Sequence, residues 1–274
     1  MSAPKVTKFA KENVRAFVLV CAKSPEERIV SAKRQLAQWL PHIQNEFVMG
    51  YVGTDTIIDE IYDVGLNSKW LKRPLVDVEI AIYAGHRKVW QSFLESHAEI
   101  ALVLEDDFKF ADPQIVTKAV GSADVLLASG RNFIKLFDFD QDKSRRIHSR
   151  LMIDGNDLIQ WHSPRAGAVA YLISREGARR FLKRPLIYRQ VDEDIKYYWE
   201  LGLDPWSIAG NPVTENSLTL GGSLAENDRS NRVPTSIVKK IHGNLLTLHR
   251  KIMNRIQIMK RKLQSLSKSR AKPG

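Results

Sequence analysis

The chain has 274 residues, with 42 Lys plus Arg against 31 Asp plus Glu and 43% hydrophobic residues. That balance excludes wholesale disorder and allows a buried core, while no apolar run approaches the ~18 residues of a membrane-spanning helix. The net charge of +11 is confined to the end of the chain: residues 237–274 hold 11 Lys plus Arg and no acid, which leaves 31 basic against 31 acidic residues before them.

In chain order, residues 16–20 form a short apolar run that reads as a buried strand. Ser24-Pro25-Glu26-Glu27 reads as a helix start: a capping serine, proline at the first position and acids in the first turn. Ile29, Ala32, Leu36 and Leu40 then give that helix a buried face. Residues 47–52 read as a second strand, closing in Gly53-Thr54-Asp55. Residues 76–96 are a long helical stretch. Residues 100–104 are a third strand, which ends abruptly in Glu105-Asp106-Asp107. Residues 124–127 and 134–137 are expected as strands, and the polar, basic residues 141–150 as a loop. Residues 168–173 are another strand. Ser174 caps a short helix ending near Leu182, and a last core helix runs from about Asp192 to Leu201. Strands alternating with helices predict an α/β fold whose mostly parallel sheet is covered on both faces. Ligands on such sheets sit beyond the C-terminal ends of the strands.

The chain divides at about residue 234 into a neutral body, 1–234, and a basic tail, 235–274. Thr235 or Ser236 caps a helix running to about Leu266. Its apolar residues are Ile241, Leu245, Leu248, Ile252, Ile256, Met259, Leu263 and Leu266, spaced by threes and fours on one face. Lys239, Lys240, Arg250, Lys251, Arg255, Lys260, Arg261 and Lys262 fall beside or opposite that face. A basic helix with an apolar stripe and no acid suits an anionic membrane surface. The competing uses are packing on the body or pairing with another subunit's tail as a homo-oligomer. A nucleic-acid arm has no use for the stripe, and the charge does not cover the body. Cys21 is the single cysteine, so no internal disulfide and no cysteine-based zinc site can form. With the polar segment 1–11 and no cleavage pattern after it, this predicts a cytoplasmic protein, peripheral on the inner face of the cytoplasmic membrane.

Three carboxylates at the end of a buried strand repel one another unless a cation neutralises them. Mg²⁺ or Mn²⁺ would do so and could bridge to a diphosphate. Alternate residues of an extended segment point the same way, so Glu105 and Asp107 can share one ligand. The competing reading is an acidic turn that solvates a strand end. Asp192-Glu193-Asp194 before an apolar-periodic run is an ordinary helix N-terminus, or else places a general base in a cleft. His86 reads as a hydrogen-bonded structural histidine and His162 as a surface-loop histidine, with a metal-ligand role open for the latter. No Gly-rich dinucleotide fingerprint, phosphate-binding loop or Gly-x-Ser-x-Gly elbow is present.

The order of motifs carries a resemblance. Glu79-Ile80, His86 and Trp90 precede Ala101-Leu102-Val103-Leu104-Glu105-Asp106-Asp107-Phe108. Gly167-Ala168-Val169-Ala170-Tyr171-Leu172-Ile173-Ser174 with Gly177-Ala178 follows, and then Pro185 with Val191-Asp192. Over roughly residues 17–215 the chain resembles glycosyltransferase family 25, the lipooligosaccharide and lipopolysaccharide galactosyltransferases. It departs at Ala81-Ile82, where the family has Gly-Cys, at Gly85, where it has serine, and at Val20-Cys21-Ala22-Lys23, where it has Asn-Leu-Asp-Arg.

The resemblance implies a GT-A type nucleotide-sugar-binding domain and transfer with inversion of a hexose, galactose first, from a UDP-sugar to a bacterial glycolipid or lipopolysaccharide acceptor. It implies Mn²⁺ or Mg²⁺ on Asp107 and Glu105, donor contacts from Glu105, Asp106 and Lys23, and Asp192 as the base, with Glu193 and Asp194 as alternatives. A metal-dependent phosphodiesterase and a nonenzymatic adaptor with a membrane-binding tail are the rival readings.

Overall fold

The computed structural model describes residues 13–139, 146–220, 222 and 237–270. Strand β1 (Val14–Val20) is buried along almost its whole length, as a strand between two helical layers must be. Helix α1 (Glu26–Trp39) follows, without the expected serine cap. Pro25 takes the cap position at φ −59°, ψ 144°, so Ser24 sits one residue too early to reach the first-turn amides. Its hydroxyl instead accepts from the Cys21 amide at 2.8 Å and donates to Asp106. Arg28 is buried on α1 together with Ala32 and Leu36.

Strand β2 (Gln44–Met49) lies parallel to β1 and ends earlier than residue 52, where the Gly50 amide turns back to the Val20 carbonyl. Two short helices, α2 (Ile57–Ile61) and α3 (Val64–Trp70), lead to the long α4 (Asp77–Glu95). Gly85 lets α4 approach β1 closely: a Cβ there would lie 2.9 Å from Leu19 Cδ1. Strand β3 (Ile100–Glu105) is parallel to β1 and is followed by the short β4 (Phe108–Phe110), α5 (Pro113–Gly121) and α6 (Ala123–Leu126).

The strand expected at 124–127 is therefore a helical turn. Ala123 and Leu126 are its buried residues, a spacing of three that only a helix puts on one face. Next come β5 (Phe133–Lys135) and the hairpin of β6 (Ile147–Ile153) and β7 (Asn156–Trp161). Residues 147–150, expected in a loop, belong to β6, and 141–145 lie outside the described residues. β6 is an edge strand with one neighbour, so it need not carry a buried apolar pattern. The signal that could have found the hairpin is Asp154-Gly155, whose φ values of 47° and 69° make a tight hairpin turn.

Strand β8 (Ala170–Ser174) enters α7 (Arg175–Leu182), capped as expected by Ser174, which accepts from the Gly177 amide. The single helix expected after Asp192 is two: α8 (Val191–Lys196) and α9 (Tyr198–Leu201). They break at Tyr197, whose amide is shared between the Glu193 and Asp194 carbonyls and whose ring lies 3.8 Å under the Arg189 guanidinium. Strands β9 (Pro205–Ile208) and β10 (Val213–Glu215), a 3-10 turn (Ser217–Thr219) and the long α10 (Ile237–Arg270) complete the described chain.

The main sheet has the order β2-β1-β3-β8-β5-β9-β7-β6. Six of its eight strands share one direction, and β7 and β8 oppose them. This is the α/β architecture with a largely parallel sheet that the chain's alternation of elements predicts. The core forms on both faces. Ala16 and Val18 of β1 join the cluster that includes Leu36, Leu102 and Val116, while Phe17 and Leu19 join the one that includes Trp90, Phe93 and Phe181. β4 and β10 pair separately and antiparallel, which sets Glu215 beside Phe108.

Candidate active site

The C-terminal ends of β1, β2 and β3 open into a cleft of about 640 Å³, within the ordinary range for a small-molecule site. Lys23, Arg28, Gly53, Thr54, Glu105, Asp106, Asp107, Gln190, Asp192 and Glu215 are among its lining residues. Segments far apart in sequence thus converge where an α/β sheet places ligands.

Glu105 is held from behind by a buried chain of hydrogen bonds. Trp90 Nε1 donates to the Tyr171 hydroxyl at 2.9 Å, Tyr171 Oη is 2.9 Å from His86 Nδ1, and His86 Nε2 is 3.2 Å from Glu105 Oε1. Indole can only donate, so the Tyr171 hydroxyl accepts from Trp90 and links it to the His86 ring, whose other nitrogen faces Glu105. His86, fully buried, is thus fixed by Tyr171 on one side and orients Glu105 on the other. His162 is elsewhere, with its ring 5.7 Å from that of His148, and it is not among the residues lining the cleft.

Asp106 is already engaged. Arg28 Nη1 reaches its Oδ1 at 2.6 Å, and Ser24 donates to its Oδ2. Arg28 also donates to the carbonyls of Leu220 at 3.0 Å and Gly222 at 2.5 Å. Asp106 therefore serves first as a wall of the cleft, tied to α1 and through Arg28 to the segment after β10.

Asp107 differs. Its Oδ2 lies 3.3 Å from Arg28, but its buried Oδ1 has no hydrogen-bond partner. Burial pushes its carboxyl up to about 8; Glu105, Asp106 and, more weakly, Glu215 add to this, and Arg28 opposes it. A buried acceptor oxygen with no donor, among like charges, fits a cation. Among the described residues no group of three His, Cys, Asp or Glu side chains forms a ready metal cage. Mg²⁺-like ions commonly take one or two carboxylates and complete their shell with water and substrate phosphate. Asp107 would hold such an ion, with Glu105 beside it and Glu215 as a further carboxylate that the sequence reading did not single out.

The three acids of α8 have three fates. Asp192 lines the cleft, and its carboxyl is raised, foremost by burial, with Lys196 and Lys135 opposing. Glu193 is not among the lining residues and is paired with Lys196 at 2.5 Å and with Arg250 of α10 at 3.0 Å. Asp194 is fully buried, accepting from the Tyr83 hydroxyl at 2.7 Å and pairing with Arg184 at 3.1 Å and Arg189 at 3.4 Å. Asp194→Ala should therefore destabilise the protein by about 3–5 kcal/mol, because buried guanidinium groups lose a counter-charge. Chemical denaturation checks this; an unchanged transition would show that the pairs contribute nothing.

Lys23 lines the cleft and is exposed. Glu79, which the sequence marked only as part of a motif, is buried at the N-terminal end of α4. It pairs with Arg73 at 2.7 Å, accepts from the Val76 amide at 3.2 Å and bonds Gln190, the residue before α8. It thus couples two walls of the cleft. Only long-range packing reveals this role.

An α/β domain with two raised carboxylates, Asp107 and Asp192, lining a strand-end cleft has the layout of an enzyme active site. The model of "Glycosyltransferase family 25 (LPS biosynthesis protein)" matches residues 22–193, more than half of the chain. The chain belongs to glycosyltransferase family 25. A "Glycosyltransferase 25 family member" from Anopheles gambiae is 26% identical over 131 residues, 45% of this chain and 21% of that protein. The match thus spans about a fifth of that relative's length. Among solved structures, a Bacillus anthracis protein described as a glucose-1-phosphate thymidylyltransferase, in complex with a sucrose, has 13% identity and a TM-score of 0.40, covering 80% of this chain and 94% of its own. Glucosyl-3-phosphoglycerate synthase from Mycobacterium tuberculosis, in complex with Mn²⁺, UDP-glucose and phosphoglyceric acid, has 13% identity and a TM-score of 0.36, covering 74% and 85%.

Proposed function

We propose that the protein is a metal-dependent, inverting glycosyltransferase that moves a hexose, galactose first, from a UDP-sugar to a bacterial surface glycolipid or lipopolysaccharide acceptor at the inner face of the cytoplasmic membrane. The observation that carries this reading is the unpartnered, buried Asp107 Oδ1 in the same cleft as Asp192, in a chain of this family. Asp192 accepts the proton of the acceptor hydroxyl. The acceptor oxygen forms a bond to the sugar's anomeric carbon from the face opposite the diphosphate. The bond from that carbon to the diphosphate oxygen breaks, and its electron pair leaves on UDP. A divalent cation held by Asp107 and Glu105 would supply Lewis-acid stabilisation of that departing charge. Lys23, exposed at the rim, adds positive charge for the donor's diphosphate, and His86 keeps Glu105 oriented.

A panel of UDP-sugars incubated with Mn²⁺ tests the proposal. Release of UDP that requires both metal and a sugar acceptor, with one donor preferred, is expected. Donor cleavage that is indifferent to acceptor would indicate a phosphodiesterase, and no donor binding at all would favour the adaptor.

A further inference from the structure

Helix α10 docks on the body with the face opposite its row of exposed apolar residues. Arg250 pairs with Glu193 at 3.0 Å, and Arg261 pairs with Asp204 at 2.7 Å while lying over the Tyr198 ring at 4.8 Å. Asn254 and Ile258 are buried between these contacts, and the His249 ring meets Trp70. Gly243 permits close approach, since a Cβ there would lie 3.2 Å from Lys72 Cβ. The other face carries Ile241, Leu245, Leu248, Ile252, Ile256, Met259 and Leu263, all exposed, from 38% to 65%. The Leu266 side chain lies outside the described residues. A folded chain does not ordinarily leave so long a continuous apolar row in water.

We infer that this row is the docking surface for an anionic lipid bilayer, with α10 lying in the plane of the interface and the body mounted on its inner face. Charge selects this occupant. Lys240, Lys251, Arg255 and Lys260 are exposed around the row, and residues 237–270 contain no Asp or Glu. Two copies paired along the row would bring lysine and arginine against lysine and arginine, with no acid to relieve them, whereas paired helices normally match opposite charges at these flanks. An anionic headgroup layer supplies the missing negative charge, and its acyl region takes the apolar side chains. Arg250 holds Glu193, the neighbour of Asp192, so the interfacial helix lies against the element that forms one wall of the cleft. The inference does not depend on the transferase reading, because it rests on α10 alone.

Co-sedimentation of the full chain with phosphatidylglycerol–phosphatidylethanolamine vesicles tests it, with phosphatidylcholine vesicles as the comparison. Binding to the anionic vesicles should be strong at low salt and should fall steeply near 1 M salt, where the screening length shrinks to about 3 Å. Leu245→Gln with Ile252→Gln should weaken binding roughly a hundredfold, about tenfold for each apolar side chain left in water. Lys251→Gln with Arg255→Gln should weaken it about 25-fold, about fivefold per charge. Both double variants should keep the thermal transition and transfer to a soluble acceptor, since the Arg250 and Arg261 contacts are untouched. Failure to bind anionic vesicles at low salt would overturn the inference. So would equal binding to phosphatidylcholine. A dimer that Leu245→Gln with Ile252→Gln dissociates, with vesicle binding unchanged, would assign the row to a second copy instead.

Discussion

Asp192→Asn should retain UDP-sugar binding but lose transfer by roughly a hundredfold or more, the ordinary size of a general-base contribution. Asp192 sits inside α8, one residue past Val191, and Gln190 holds the cap position. The substitution removes an acid from the first turn but no cap, so its cost in stability is at most about 1 kcal/mol. A large kinetic effect with an intact fold would therefore come from chemistry. The pH dependence carries the same signature. Burial raises the Asp192 carboxyl above its ordinary value, and a base works only when deprotonated. Transfer by the native protein should fall on acidification at a pH above the usual carboxylate range, and the Asn variant should lack that limb. Glu193→Gln is the companion control: it loses the Arg250 pair but should keep turnover within a few-fold. Near-normal turnover in Asp192→Asn would remove the base assignment.

Asp107→Asn should abolish Mn²⁺-dependent donor binding, by roughly a hundredfold or more, since even the outer partners of metal ligands are worth 10–100-fold. It should also make the metal-free protein more stable at neutral to alkaline pH. The Asp107 carboxyl is raised to about 8 in the folded chain, chiefly by burial and then by Glu105 and Asp106, against about 3.9 in an unfolded one. The folded state therefore holds this proton more tightly. The stability it contributes is fully present below pH ~4 and lost as pH rises through about 8. An Asn side chain has no such charge to bury, so the melting temperature of the variant should stay flat across that window while the native protein's declines. Added Mn²⁺ should restore the native protein and leave the variant unmoved. Full metal-dependent transfer by Asp107→Asn would be incompatible with Asp107 as a ligand.

Local pattern in the sequence was enough for the α/β class, the buried strands β1, β3 and β8, the long α4 and α10, and the acid-tipped strand end, because apolar runs and helical periodicity are set by neighbours a few residues apart. The edge strand β6 escaped, since one partner and an open face demand no apolar alternation. The turn at α6 was misread because four residues are too few to separate the two periods. Ser24 reads as a cap locally, yet the extended Pro25 and the carboxylate of Asp106, 82 positions away, give it a different partner. Three adjacent acids, Asp192, Glu193 and Asp194, are equivalent on paper. The 100° step of a helix sends one into the cleft, one to Arg250 of the tail and one into the core beside Arg184 and Arg189. Glu215 and Glu79 reach the cleft by strand pairing and helix packing between segments distant in the chain, which no spacing rule records. For the tail, the sequence specified a basic helix with an apolar stripe. Which side faces the body followed from where Glu193 and Asp204 present their charges to Arg250 and Arg261 and from the burial of Asn254 and Ile258 between them, which left the stripe on the outside.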